Sequence, residues 1–293
     1  MRAKKQSVSY SKYGYWFIIA AVALYTVFMI YPVINSVWLS LHATRGLNSK
    51  FVGLGNFKRL LSDPLFWQSM ANNFIFLIVQ VPLMTILGAV FAVMLNSKKL
   101  RFRSFFRLAL FLPCVTSLVA YSVLFKMMFQ ADGIINQILM QCHLIREPIS
   151  WLVDPFWAKI TIIIALCWRW TGYNMVFYLV GLQNIPSETL EAASIDGANA
   201  WKKFTHIILP QLKPIVLLTT IMSTIGTLQL FDEPVNLTEG GPANATMTIS
   251  QYIYKHSFVY SSNFGYAAAL SWVLVIIVAI LAIIQFRIGD DKE

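Results

Sequence analysis

The stretch Phe264 to Phe286 reads FGYAAALSWVLVIIVAILAIIQF, 23 residues with no Asp, Glu, Lys or Arg among them. At about 1.5 Å rise per residue, an α-helix of that length crosses the roughly 30 Å of hydrocarbon in a bilayer. Working outward from it, five more blocks meet the same criterion: Trp16 to Ser40, Phe74 to Leu95, Leu108 to Leu124, Ile160 to Leu182 and Ile215 to Phe231. Arg169 is the only charge inside any of the six. Over 293 residues, 57% are hydrophobic and 12% charged, about half the charge of a soluble domain, which excludes an ordinary water-soluble enzyme. The expectation is an all-α integral membrane protein of six transmembrane helices, forming a single domain over residues 1–293. No internal repeat is visible.

The net charge of +10 raises nucleic acid as a partner, but the basic residues are placed for topology. With the start of the chain inside, 14 of the 23 Lys and Arg fall on the inner side, among them Arg2, Lys4, Lys5, Lys98, Lys99, Arg101, Lys202, Lys203 and Lys292. Six fall outside: Arg45, Lys50, Lys58, Arg59, Arg146 and Lys255. By the positive-inside rule both termini are cytoplasmic, the surroundings are membrane lipid, and no nucleic acid is expected. The apolar run from Trp16 to Ile34 is too long for the core of a signal peptide and reads as a retained first span. Pro32, Pro82, Pro113 and Gly88 interrupt spans and predict kinks. Cys114, Cys142 and Cys167 form no disulfide framework, and the four histidines lack metal-ligand spacing, so neither a metal nor a cofactor is expected.

Between spans four and five, residues 183–213 are patterned as two short helices at the membrane surface. Pro186-Ser187 supplies a start, with the Ser187 hydroxyl available to a first-turn N–H and Glu188 and Glu191 near the positive end of the dipole. Gly197 supplies a stop that tolerates positive φ. A second helix over about Ala200 to Ile208 sets Trp201, Phe204 and Ile208 on one face and Lys202, Lys203 and His206 on another.

The string Glu191-Ala192-Ala193-Ser194-Ile195-Asp196-Gly197-Ala198, continuing through Phe204, Ile207, Leu209-Pro210 and Pro214, resembles the EAA loop of permease subunits in binding-protein-dependent ABC importers. Gly181-Leu182-Gln183-Asn184-Ile185-Pro186 upstream resembles the lead into that loop in the sugar-importing, MalF- and UgpA-like branch. Downstream, Leu237 to Thr246, with Glu239-Gly240-Gly241-Pro242 at its centre, and Phe264-Gly265-Tyr266 resemble that branch's approach to the sixth span. The resemblance implies a non-enzymatic subunit that works with a MalG-like second permease, MalK-like ATPase subunits and an extracytoplasmic solute-binding protein in a bacterial inner membrane. It also implies that Glu191, Ala192, Asp196, Gly197, Ala198, Trp201 and Phe204 couple this chain to the ATPase, with Glu191 meeting a basic residue there. Independently, the sequence holds no G-x-x-x-x-G-K-[ST], so no Walker A loop cradles a nucleotide. Glu191 also fits a plain surface carboxylate, and Trp201 and Phe204 fit interfacial anchors.

Trp168-Arg169-Trp170-Thr171-Gly172-Tyr173-Asn174 is the one place where a charge, aromatics and an amide cluster within a span. A charge at that depth is costly unless it faces a cavity or a partner. Aromatic faces beside hydrogen-bonding groups suit sugar rings. Span five ends Gln229-Leu230-Phe231-Asp232-Glu233, with further donors and acceptors. The candidate substrate pathway is therefore Arg169, Trp170, Tyr173, Asn174, Gln229, Phe231 and Asp232, and the resemblance aligns Tyr173 with a pocket tyrosine. Trp168 fits an aromatic belt better, Trp170 and Tyr173 fit either role, and Arg169 fits a structural bridge to Asp232 as well. A sugar or oligosaccharide is the expected cargo, with a glycerol-phosphate ester the alternative that Arg169 suggests. An ion-coupled secondary transporter lacks its usual acidic residue within a span, and an intramembrane protease lacks its nucleophile and base.

Overall fold

The computed structural model describes residues 11–45, 48–97 and 100–289. Arg2, Lys4, Lys5, Lys98, Lys99 and Lys292, counted above for sidedness, lie outside the described residues, as do both termini. In chain order the elements are α1 (Ser11–Tyr25), a π turn (Thr26–Ile30), α2 (Tyr31–Ser40), β1 (His42–Arg45), β2 (Asn48–Phe51), α3 (Gly55–Leu61), α4 (Pro64–Asn96), α5 (Arg103–Val115), α6 (Leu118–Met128) and α7 (Ile134–Gln141). There follow α8 (Pro155–Gln183), α9 (Ser187–Ile195), α10 (Ala200–Lys203), a π turn (Phe204–Ile208), α11 (Leu209–Leu228), α12 (Asp232–Thr238), α13 (Ile249–Tyr254), a π turn (Lys255–Val259) and α14 (Phe264–Gly289). Among the described residues five helices are long and apolar enough to cross a membrane, and α5 with α6 makes a sixth when that bent pair is counted as one span. The protein is an all-α membrane protein apart from the small hairpin of β1 and β2.

Several boundaries differ from the hydropathy blocks. The third block, Leu108 to Leu124, is not one straight span: α5 and α6 meet at 100°. The backbone turns extended at Thr116 and Ser117, three residues after Pro113, whose ring and missing N–H disrupt the last turn of α5. Span two begins at Pro64 rather than Phe74, and span four at Pro155 rather than Ile160. Both start with Asp-Pro: Asp63 accepts from the Leu65 N–H at 3.0 Å, and Asp154 from those of Phe156 and Trp157 at 2.9 and 3.0 Å. The carboxylate caps while proline fills the first helical position, where its missing N–H costs nothing. Helix α4 stays helical through Pro82 and Gly88. Span five ends at Leu228, three residues before Phe231.

The expected second surface helix is also corrected, because it does not stop at Ile208. Residues 200–228 run as one helical segment through the π turn into α11. The Leu209 N–H reaches back five residues to the Phe204 carbonyl, and the Tyr31 N–H does the same to Thr26. A proline follows each, Pro210 and Pro32. A proline ring collides with the carbonyl four residues earlier in a regular α-helix, and the wider π turn makes room for it. Proline therefore reshapes these helices without ending them.

The contacts divide into two compact units, residues 1–61 with 256–272 and residues 62–255 with 273–293. In the first, β1 pairs antiparallel with β2, His42 opposite Phe51. Asn56 Nδ2 donates to the carbonyls of Ser40 and His42 at 2.8 and 2.9 Å, Thr44 Oγ1 accepts from the Gly265 N–H at 2.8 Å, and the Arg59 guanidinium lies 4.3 Å from the centroid of the Tyr266 ring. In the second, α8 is the central helix. Phe76, Tyr121, Phe125, Ile162 and Leu166 pack around its first half, and Ala92, Met175, Tyr178, Leu182 and Leu212 around its second. Three amides of α4 staple the end of α11 and the segment after α12: Gln68 Nε2 donates to the Ala243 carbonyl, Asn72 Nδ2 to those of Asn244 and Met247, and Asn73 Nδ2 to those of Thr227 and Leu228 at the end of α11. Asn73 Oδ1 completes the set by accepting from the Ile249 N–H at 3.0 Å.

Candidate functional site

Beside the middle of α8 lies a cavity of about 700 Å³, within the range of roughly 300–1,000 Å³ typical of small-molecule sites. Its wall brings together all seven residues named above for the substrate pathway: Arg169, Trp170, Tyr173 and Asn174 from α8, Gln229 and Phe231 from the turn after α11, and Asp232 from the start of α12. Helical spacing explains the first four, since positions 169, 170, 173 and 174 share one face. Trp168 points elsewhere, against the rings of Tyr121 and Phe125 at 5.8 and 5.3 Å.

Arg169 is 8% exposed. It does not form the bridge to Asp232 that the sequence allowed, and among the described residues no carboxylate stands within ion-pair distance of it. Its guanidinium instead lies 4.8 Å from the Tyr121 ring centroid and 5.5 Å from that of Trp170, both cation–π distances. One N–H donates to the Thr116 carbonyl at 3.4 Å, at the break between α5 and α6, and Nε has no partner. Asn174, 2% exposed, likewise keeps an unpartnered Nδ2. The Trp170 and Tyr173 rings meet edge to face at 5.8 Å.

The candidate substrate pathway left out four polar members of the wall, Gln80, Ser223, Thr227 and Glu233, the last of them quoted above only as part of its string. Gln80 of α4 accepts from Thr227 Oγ1 at 2.8 Å, and Glu233, 4% exposed, is far more buried than its exposed neighbour Asp232. Burial pushes the Glu233 carboxyl above the usual carboxylate range, and the adjacent Tyr121 hydroxyl and Arg169 charge pull it partly back. Gln80 carried a signal, as the one amide in Phe74 to Leu95. Glu233 carried none that separates it from Asp232.

The second group stands on the surface. Helix α9 begins at Ser187, with Pro186 rather than Ser187 at the N-cap position; Glu188 lies in its first turn and Glu191 one turn later, exposed. It ends in a Schellman motif: the Gly197 N–H bonds the Ser194 carbonyl at 3.2 Å and the Ala198 N–H that of Ala193 at 2.9 Å. Gly197 sits at φ +78° with open space where a Cβ would stand. Asn199 Oδ1 then caps the next helix by accepting from the Lys202 N–H at 2.8 Å. Ala192, Asp196 and Trp201 are exposed, Ala198 and Phe204 half-buried, and the Trp201 and Phe204 rings lie 6.0 Å apart. Leu190 and Ile208 anchor the element onto the cluster containing Ile185 and Leu212.

An all-α membrane bundle with a polar-aromatic cavity inside and a protruding helical turn has the build of a transporter's membrane subunit. The chain belongs to the binding-protein-dependent transport system inner membrane component family, whose model matches residues 74–290. It is therefore a permease subunit of an ABC importer, a transport component and not an enzyme. It is 54% identical to the lactose transport system permease protein LacF of Rhizobium radiobacter, over 97% of this chain and 96% of that one. It is 34% identical to the trehalose/maltose transport system permease protein MalF of Thermococcus litoralis, over 97% and 95%. A solved bacterial alginate ABC transporter, in complex with alginate pentasaccharide-bound periplasmic protein, shares the fold with a TM-score of 0.84 at 18% identity, covering 99% of this chain and 100% of that one.

Proposed function

We propose that this permease subunit carries a sugar or short oligosaccharide through the cavity beside α8, with lactose-class disaccharides the first candidates. The observation that carries the reading is the convergence of Trp170 and Tyr173 with the unpartnered donors of Arg169 and Asn174 on one wall. Relatives named as sugar permeases, at full-length coverage, support the cargo class. The family supports a bacterial inner membrane as the location. It also supports an assembly with a MalG-like second permease, MalK-like ATPase subunits and an extracytoplasmic solute-binding protein. Within that assembly residues 1–293 act as one membrane domain with cytoplasmic termini, and the turn around Gly197 docks on the ATPase through Glu191, Asp196, Trp201 and their neighbours.

Tyr173→Ala tests the pathway. Loss of one aromatic face is expected to lower uptake of labelled lactose at subsaturating concentration about tenfold while the complex still assembles; unchanged uptake assigns Tyr173 to helix packing. Sidedness is tested by Lys202→Cys in a background without Cys114, Cys142 and Cys167. The new thiol is expected to react with an impermeant reagent in inside-out vesicles only, and labelling of intact cells reverses the topology.

A further inference from the structure

The charged residues on the cavity wall are Arg169, Asp232 and Glu233, one cation against two carboxylates. The cation is already engaged, its face toward Tyr121 and Trp170 and one N–H on the Thr116 carbonyl. Asp232 is exposed, so water screens it, whereas Glu233 is buried and its field is screened far less. The same wall carries two unpartnered donors, Asn174 Nδ2 and Arg169 Nε, on side chains more than nine-tenths buried. A sugar hydroxyl both donates and accepts, so it satisfies Glu233 and those donors together. A carboxylate or phosphate only accepts: it suits the donors but meets the ionised Glu233 carboxylate as a like charge.

Resting on the sugar reading above, we propose that Glu233 is a specificity-determining residue that makes the cavity take uncharged sugars and turn away anionic ones of the same size. This also rejects the phosphate-ester cargo that Arg169 taken alone suggests. The fold does not make that choice, since a transporter of the same fold imports the acidic polysaccharide alginate; the side chains of the wall make it.

The test uses the purified importer complex, permease pair with ATPase subunits and no binding protein, so that the receptor's own selectivity is absent. Ligand-induced thermal stabilisation is titrated with lactose and with lactose carrying a carboxylate in place of its galactose C6 hydroxymethyl group. The wild type is expected to prefer lactose at least tenfold, the scale of one poorly screened like-charge contact. Glu233→Gln is expected to shrink that ratio severalfold, while Glu233→Asp, which keeps the charge, preserves it. Equal affinities in the wild type, or an unchanged ratio in an assembled Glu233→Gln complex, overturn the proposal while leaving the sugar reading in place. If Glu233→Gln does not assemble, Asp232→Asn is read at low and high salt, and a ratio that it shrinks more than Glu233→Asp does moves selection to Asp232 and overturns the assignment. A wild type stabilised by neither compound removes the sugar reading and this inference with it.

Discussion

Gly197→Val is expected to leave the membrane helices folded and to disconnect the importer from its ATPase. The backbone at Gly197 is held at φ +78° by two hydrogen bonds of the Schellman turn, and a β-branched residue there costs about 1–3 kcal/mol of local strain. Since a Cβ meets nothing within 4 Å, the penalty is one of dihedral angle and not of collision. The turn relieves it by changing path, which rotates α10 away from α9 and spoils the surface shared by Glu191, Asp196 and Trp201. The purified complex should lose its ATPase subunits, or hydrolyse ATP without regard to loaded binding protein. Gly197→Asn should restore most coupling, because asparagine tolerates left-handed backbone. Wild-type stimulation in the valine variant would remove the coupling role from this turn.

The second large effect is expected from the smallest possible change, Gly172→Ala. A Cβ at that position falls 1.8 Å from the Leu110 carbonyl oxygen and 3.0 Å from the Phe111 nitrogen, both backbone atoms that cannot swing aside. Overfilling a tight contact of this kind costs about 3 kcal/mol or more, because α5 as a whole must retreat from α8. The retreat pulls Thr116 from Arg169 and opens one side of the cavity. Size-exclusion profiles after detergent extraction, together with melting curves, should show a marked loss of recoverable, thermally stable complex. A variant that melts with the wild type shows that α5 and α8 are not in such close register.

Hydropathy located the spans because burial in lipid acts on every residue of a block alike, as in Phe264 to Phe286. It misplaced the start of α4 because Gln68, Ser69, Asn72 and Asn73 look like loop residues. The amides of Gln68, Asn72 and Asn73 are spent inside the protein, on carbonyls more than 150 positions away in sequence. The Asp63-Pro64 and Asp154-Pro155 pairs did announce those starts, through capping chemistry that an averaging window ignores. The break at Thr116 and Ser117 was only half legible: Pro113 marked a weakness, but the 100° angle depends on what α8 and α12 offer to α6. On the cavity wall, Arg169 through Asn174 were readable since one helix face carries them. Gln80 and Thr227 lie 147 residues apart, and Glu233 differs from Asp232 only in which way a turn faces. Pairings of that kind exist only once the chain has folded.

Residues 201–228 form one helix of 28 residues, about 42 Å long at 1.5 Å per residue. At one tip stand Trp201 and Phe204, beside the Gly197 turn; near the other, Met222, Ser223, Gly226 and Thr227 form part of the cavity wall. A rod of that length works as a lever, and a tilt of about ten degrees about one end sweeps the other through about 7 Å, more than the width of a sugar ring. Had Pro210 cut the helix, the stroke would dissipate in a joint. Because the π turn lets the helix run past it, a small angular displacement at the Trp201 end reaches the cavity wall as a linear one, without a relay of intermediate contacts.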